Sequence, residues 1–304
     1  PWLLRRWERK MDPKQRCGTI AIVGQPNVGK STLLNYFVGT KLSITSRKAQ
    51  TTRYQLLGIH TDKDAQYIFV DTPGYQLKHL NMLNRGLNKT VQQALKDVDV
   101  ILFLIEPGLL DETDKRILNM IPQEKPIVLA INKVDLLKDK NKLLHFIKEL
   151  DEINRFETIV PTSVKKDNNL QPLMTALKDF LPKQDFIFSE DELTDKSERF
   201  LSAEIVREKV FRLTGQELPY SIAVEIEKFE IIDGVRRIFT AIIVDRDSHK
   251  PMIIGKHGKR LKDISTSARM DMEKLFGGKV WLEIWVKVQK GWADDQRALK
   301  SLGL

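Results

Sequence analysis

Gly24-Gln25-Pro26-Asn27-Val28-Gly29-Lys30-Ser31 is the stretch of this 304-residue chain whose residue types and spacing say most about chemistry. It follows an apolar run, Thr19 to Val23, that reads as a buried strand. It precedes Thr32-Leu33-Leu34-Asn35-Tyr36-Phe37, which reads as a helix start. A phosphate-binding loop requires that context. Gly24 and Gly29 let the backbone curl so that successive N–H groups face inward, and the helix N-terminus adds its positive end to the same cavity. Lys30 reaches the outer phosphates, Ser31 offers a hydroxyl to Mg²⁺, and Gln25, Pro26, Asn27, Val28 and Thr32 complete the lining. The ligand implied is a nucleoside triphosphate.

Two further groups stand at strand ends. After Ile68-Phe69-Val70 comes Asp71-Thr72-Pro73-Gly74, where an acid can hold Mg²⁺ through a water and a glycine can turn its N–H to a γ-phosphate. After Ile127-Val128-Leu129-Ala130-Ile131 comes Asn132-Lys133-Val134-Asp135. The Asp135 carboxylate can accept both N1–H and N2–H of guanine, a donor pair that adenine lacks. Lys133 can lay its stem along the base, and Asn132 can tie the base-binding loop to the phosphate loop. A more ordinary use of Asp135 is to cap the following helix. The polar stretch Ser46 to Arg53 is of the kind that Mg²⁺ and γ-phosphate can order.

The elements that must position these groups alternate from Thr19 to Leu181. Expected strands are 19–23, 56–60, 66–70, 100–105, 127–132 and 158–161, and expected helices 31–39, 83–95, 112–120, 140–152 and 170–180. Such alternation predicts an α/β domain with a mostly parallel sheet covered on both faces, whose ligands sit outside the carboxyl ends of the strands.

The combination resembles the small GTPase superfamily. The resemblance implies GTP as ligand, Ser163 in the last guanine-contacting loop, Thr52 of Thr51-Thr52-Arg53 as a Mg²⁺ ligand in the GTP state, and a second switch from Gly74 to about Gly86. Tyr75 stands where Ras-like enzymes have the glutamine that orients the attacking water. Hydrolysis is therefore expected to be slow and to rest on Mg²⁺, Lys30 and backbone donors such as Gly74. Asn27 resembles the asparagine of a GTPase class that holds K⁺ near the phosphates.

A second unit follows Pro182. Lys183 to Phe200 carries a local charge of −3 and reads as an acidic linker. Beyond it, 201–213 has helical spacing, 221–226 and 235–244 read as strands, a loop delivers Ile253-Ile254-Gly255-Lys256-His257-Gly258-Lys259-Arg260, a helix runs to about 275, and 280–288 alternates as a third strand. From Arg246 to Lys262 there are six Lys or Arg and one acid. Gly-x-x-Gly opening a helix beside a basic cluster resembles the KH domain of type II, an α+β unit whose loop clamps single-stranded nucleic acid. His257 has no Cys or His partner at metal-ligand spacing and reads as a loop contact.

Composition sets bounds. A net charge of +9 suits a polyanionic partner, a lone cysteine, Cys17, excludes an internal disulfide framework, and no apolar run reaches the roughly 18 residues of a membrane span. Residues 1–13, with Trp2 and Trp7 among basic side chains, read as an extension outside the fold. The expected division is a GTPase domain over 14–182, a linker over 183–200 and a KH domain over 201–304. As a whole the chain resembles the bacterial ribosome-assembly GTPases that carry a C-terminal KH domain. That resemblance implies slow GTP hydrolysis, binding of the 3′ end of 16S ribosomal RNA, action on the 30S subunit, a cytoplasmic monomer and some peripheral association with the inner membrane. The competing reading gives the second domain, with a net charge of only +4 over 201–304, a protein partner.

Overall fold

The computed structural model describes residues 15–44, 56–72, 91–108, 110–214 and 222–292. The expected extension over 1–13, most of the helix at 83–95, and Thr52, Pro73, Gly74 and Tyr75 lie outside the described residues.

The first unit contains β1 (Arg16–Gly24), α1 (Lys30–Val38), β2 (Leu56–Thr61), β3 (Ala65–Asp71), β4 (Val100–Ile105), α2 (Glu112–Met120), β5 (Ile127–Ile131), α3 (Lys140–Asp151), β6 (Thr158–Pro161) and α4 (Leu170–Asp179). The sheet order is β2-β3-β1-β4-β5-β6, parallel except for the antiparallel β2–β3 pair. All six residues of β4 are buried, because a central parallel strand is covered from both sides. Its alternate side chains feed two cores. Leu102 and Leu104 join Leu33, Leu34, Phe69, Leu173 and Leu177 on one face. Ile101, Phe103 and Ile105 join Ile117, Leu129, Ile131 and Leu150 on the other. This layering brings the ends of β1, β3 and β5 to one rim.

The acidic segment is an ordered strap along the β2–β3 edge. Ile187 N and Phe188 N donate to Gln66 Oε1 at 2.9 and 3.0 Å, Ile59 N donates to Leu193 O, and Leu57 N donates to Asp195 Oδ1. These bonds satisfy a buried glutamine and cover an edge strand that would otherwise expose unpaired backbone. The strap ends earlier than the composition suggests: Ser197 caps α5 (Glu198–Leu213), so residues 198–200 are helix.

The second unit continues with β7 (Ile222–Ile232), β8 (Val235–Val244), α6 (His249–Ile254), α7 (Lys259–Phe276) and β9 (Val280–Val288). Its sheet order is β7-β8-β9, antiparallel then parallel. Helices α5 and α7 bury Val206, Val210, Ile264, Ala268 and Met272 against Ile222, Ile238 and Ile242. The residues before Gly255, read as loop from the sequence, form the short helix α6. Six residues containing Pro251 leave too little periodicity to reveal a helix.

Candidate functional site

At the rim of the first sheet, β1 ends at Gly24 and α1 begins at Lys30. The loop between them uses left-handed backbone at Asn27 and a φ of 114° at Gly29. A Cβ on Gly29 would lie 2.4 Å from Asn132 Nδ2, so the loop closes only with glycine there. The Lys30 ammonium is buried and donates to Gly24 O at 3.0 Å and Gln25 O at 2.8 Å, curling back over the loop. Burial draws its pKa down to about 8, with the Asp71 carboxylate opposing. An ammonium held this way places a positive charge within the loop.

Ser31 Oγ and Ser43 Oγ both donate to Asp71 Oδ2, at 3.2 and 2.6 Å. Asp71 is fully buried. A hydroxyl and a carboxylate converging beside the phosphate loop make an all-oxygen donor set of the kind Mg²⁺ takes, and the two residues fit that ion. Thr72 Oγ1 donates to Ile22 O at 2.8 Å and locks the end of β3 to β1.

The NKxD segment leans on the same loop. Asn132 Nδ2 donates to Val28 O at 2.8 Å, and its Oδ1 accepts from Val164 N. Lys133 Nζ donates to Asn27 O at 2.8 Å and pairs with Glu106. Ser163 Oγ donates to Asp135 Oδ1 at 2.6 Å. Helix α3 is capped by Asp139, whose side chain accepts from Asn141 N, so the capping role considered for Asp135 falls to another residue. Asp135 is left exposed with acceptor capacity to spare.

Sequence reasoning missed the supports of Gln25. Its Nε2 donates to Asp111 Oδ1 at 2.8 Å, and Asp111 also caps α2 through Thr113 N and Asp114 N. Asp111 stays below its ordinary range, its partial burial outweighed by those donors. Burial raises Asp114 to about 6. With Glu106 these acids line a cavity of about 280 Å³ flanking the loop. Three carboxylates make that cavity electrostatically unfavourable to an anion.

In the second unit, Gly255 has φ 71° and ψ 177°, a region effectively reserved for glycine, and Gly258 is left-handed. Between them Lys256 and His257 are exposed, as is Lys259 at the start of α7; Arg260 is half-buried and donates to Met252 O. Gly258 gives α7 no side-chain cap, so its first N–H groups are free of that competition. Ile254 is half-buried and Ile253 wholly buried in the core. Ile253 therefore braces the loop from beneath, a correction to its reading as a direct contact.

Fold and sites together define a P-loop GTPase joined to a KH domain. Family models agree: residues 19–133 match the "50S ribosome-binding GTPase" family and residues 217–293 the KH domain. GTPase Era of Nitrosomonas eutropha is 53% identical over 288 residues, covering 95% of this chain and 97% of that protein, and GTPase Era of Chromobacterium violaceum is 49% identical over 96% and 99%. The chain belongs to the Era family of GTPases. An Aquifex aeolicus Era variant bound to GDP·AlF₄⁻ superimposes with a TM-score of 0.91 at 41% identity, covering 95% of this chain and 99% of that one. A structure of Era with MgGDPNP and nucleotides 1506–1542 of 16S ribosomal RNA gives the same TM-score and identity.

Proposed function

We propose that this GTPase binds the 3′ end of 16S ribosomal RNA through its second domain, in a manner set by the nucleotide in the first, and thereby acts in assembly of the 30S subunit. The observation that carries the RNA half is the Gly255–Gly258 turn, where exposed Lys256, His257 and Lys259 surround an uncapped helix start. The relative solved with a 16S fragment supports the choice of RNA.

In the first domain, residues 24–32 cradle the phosphates, Asp135 and Ser163 read guanine, and Asn132 and Lys133 fix the base loop to the phosphate loop. Ser31 and Asp71 hold Mg²⁺, Asp71 through a water, with Thr52 joining in the GTP state. Mg²⁺ neutralises charge on the β- and γ-phosphates. Gly74 donates to the γ-phosphate, and the phenol of Tyr75 in place of glutamine keeps hydrolysis slow. Asn27 would hold K⁺, which when bound would add charge stabilisation near the phosphates, and turnover in K⁺ exceeding that in Na⁺ is its test. In this reading the protein is a cytoplasmic monomer with some peripheral membrane association. Among the described residues no helix is long and apolar enough to cross a bilayer.

The decisive experiment compares a 3′-terminal 16S oligonucleotide with a scrambled one, in GDP, in GDPNP and without nucleotide. Tighter, selective binding in GDPNP is expected. Equal binding in all states would leave two independent modules, and no binding would favour a protein partner for the second domain. Lys256→Asp is expected to weaken RNA binding about tenfold at moderate salt and to flatten the dependence of log Kd on log salt, since one neutralised phosphate is lost.

Lys30 gives the GTP affinity a pH dependence. In the free protein the ammonium titrates at about 8. Phosphate anions favour its charged form, so the complex holds a proton that the free protein has lost above that pH. GTP affinity is expected to be flat below about pH 8 and to fall by up to about tenfold per unit above it. Titrations with a fluorescent nucleotide at about pH 7 and pH 9 check this, and equal affinities would refute the contact.

A further inference from the structure

Lys41, Leu42 and Ser43 join the Mg²⁺-site carboxylate to the second domain. Asn35 of α1 holds the segment from behind: its Oδ1 accepts from Leu42 N and Ser43 N at 2.9 and 2.8 Å, and its Nδ2 donates to Ser43 O at 2.7 Å. Ser43 is buried, and its hydroxyl makes the shorter of the two hydroxyl bonds to Asp71 Oδ2. Two residues earlier, Lys41 Nζ lies 2.6 Å from Glu208 Oε2 on α5 and 2.7 Å from Asp271 Oδ2 on α7. Arg212 shares Glu208, and Lys209 shares Asp271. Glu208 has no solvent exposure, so its charge depends on these cations. Burial opposes the Lys41 charge, but Asp271 and Glu208 outweigh it and raise its pKa. The same helix α7 carries the Gly255–Gly258 loop at its other end. Twelve residues separate Lys259 from Asp271, about 18 Å of rigid helix.

We propose that Ser43 is a positioning residue for the Mg²⁺ site and that Lys41 transmits the state of that site to the RNA-binding domain through Glu208 and Asp271. The inference rests on the reading that nucleotide sets RNA affinity. When Mg²⁺ and its waters engage Asp71, the carboxylate must share its oxygens between them and Ser43. Any displacement of Ser43 is carried by the Asn35-held segment to Lys41. There it meets two carboxylates on the two helices of the KH core, Glu208 wholly buried and Asp271 half-buried, and a shift of α7 re-aims the loop at its N-terminus. A surface ion pair would dissipate such a movement; a lysine held between a buried and a half-buried acid does not.

The test uses the full-length protein with a fluorescent GDP analogue and the 16S oligonucleotide. Ser43→Ala is expected to raise about fivefold the Mg²⁺ concentration that half-suppresses nucleotide release, the loss of one hydrogen bond, while leaving release in excess chelator unchanged. Ser43→Thr, which keeps the hydroxyl, is expected to restore the wild-type value. Lys41→Met is expected to leave the Mg²⁺ dependence alone and to bring the ratio of RNA affinities in GDPNP and GDP to about one, with Lys41→Arg retaining most of it. Thermal melts of every variant exclude unfolding, and Lys41→Met/Glu208→Gln, which removes the buried charge together with its partner, replaces Lys41→Met if that variant is unstable. An unchanged Mg²⁺ dependence in Ser43→Ala, or an unchanged affinity ratio in Lys41→Met beside a nucleotide-sensitive wild type, overturns the proposal. A wild type with equal RNA affinity in both nucleotides overturns instead the reading on which the transmission rests, while the Ser43 arm still decides the Mg²⁺-site role.

Discussion

Asp135→Asn is expected to weaken GDP and GTP binding by about 100- to 1,000-fold and to create affinity for the xanthine nucleotides, whose carbonyl a carboxylate would repel. The magnitude follows from what a carboxylate presents to guanine. Both N1–H and N2–H are donors, and two charge-assisted hydrogen bonds to them are lost or inverted when an amide N–H₂ replaces one oxygen. Xanthine carries a carbonyl where guanine has its exocyclic amine, so the asparagine oxygen accepts N1–H while its amide donates to that carbonyl. The structure makes the substitution clean. Asp135 is exposed within a short 3₁₀ turn, the neighbouring helix is capped by Asp139, and the Ser163 hydroxyl at 2.6 Å can still donate to the amide oxygen. Competition of GDP and XDP against a fluorescent analogue measures the change. Retention of wild-type GDP affinity by a normally melting variant would remove Asp135 from the site.

What the sequence exposed and what it concealed divide along contact range. Strand β4 was legible as an unbroken apolar run because both its faces are buried, and the phosphate loop and NKxD were legible because each is a local string at the end of such a strand. Asp111 was not: it joins Gln25 across 86 residues and looks like an ordinary helix cap, which it also is. Ser43 meets Asp71 across 28 residues and lies between the apolar Leu42 and Ile44 with no motif of its own. Lys41 and Asp271 are 230 residues apart and become neighbours only when the two domains pack. Ile253 was misjudged for a different reason. An apolar pair before a glycine loop is compatible with a ligand platform or with a core anchor, and only the register of α6 against the sheet puts Ile253 inside.

These placements bear on how the two halves act together. The nucleotide site is built from short-range chemistry on one sheet rim, and the RNA loop from short-range chemistry at the start of α7. Their contact, by contrast, combines apolar packing, in which Leu201, Phe200, Leu275 and Phe276 join the first core, with ion pairs around the buried Glu208 and the half-buried Asp271. Asp271 is held below its ordinary range: burial pushes it up, but Lys209 and Lys41 outweigh that. A carboxylate depressed in this way adds stability above its unfolded pKa and loses it as pH falls through the folded value. The contact between the domains is therefore expected to loosen in acid, below the ordinary carboxylate range, before either core unfolds. Protease sensitivity of the 183–197 strap, followed from neutral to acid pH, reads that loosening, and a strap equally resistant at all pH values until global unfolding would contradict it.

Gly255→Ala is expected to lower affinity for the 16S oligonucleotide by about 30-fold or more, whereas Gly258→Ala costs only a few-fold. Both glycines have positive φ, but the penalties differ in kind. At Gly255 the backbone lies at φ 71° and ψ 177°, where a side chain costs on the order of 1–3 kcal/mol by conformation alone. A Cβ would also stand 2.7 Å from Arg260 Cβ and 3.1 Å from Arg260 N. The loop must then open away from the first turn of α7, displacing Lys256 and the loop N–H groups with it. Gly258 has φ 73° and ψ 5°, the ordinary left-handed region, and a methyl added there would meet nothing within 4 Å, so alanine costs about 1 kcal/mol and leaves the loop in place. The GTPase domain is untouched by either change, and nucleotide affinity serves as the internal control. RNA titrations of the two variants side by side therefore separate a loop whose backbone geometry makes the site from a basic surface that merely attracts polyanions. In the second case the two alanines would behave alike and only charge reversals such as Lys256→Asp would matter, because long-range attraction depends on charge and not on the path of the chain.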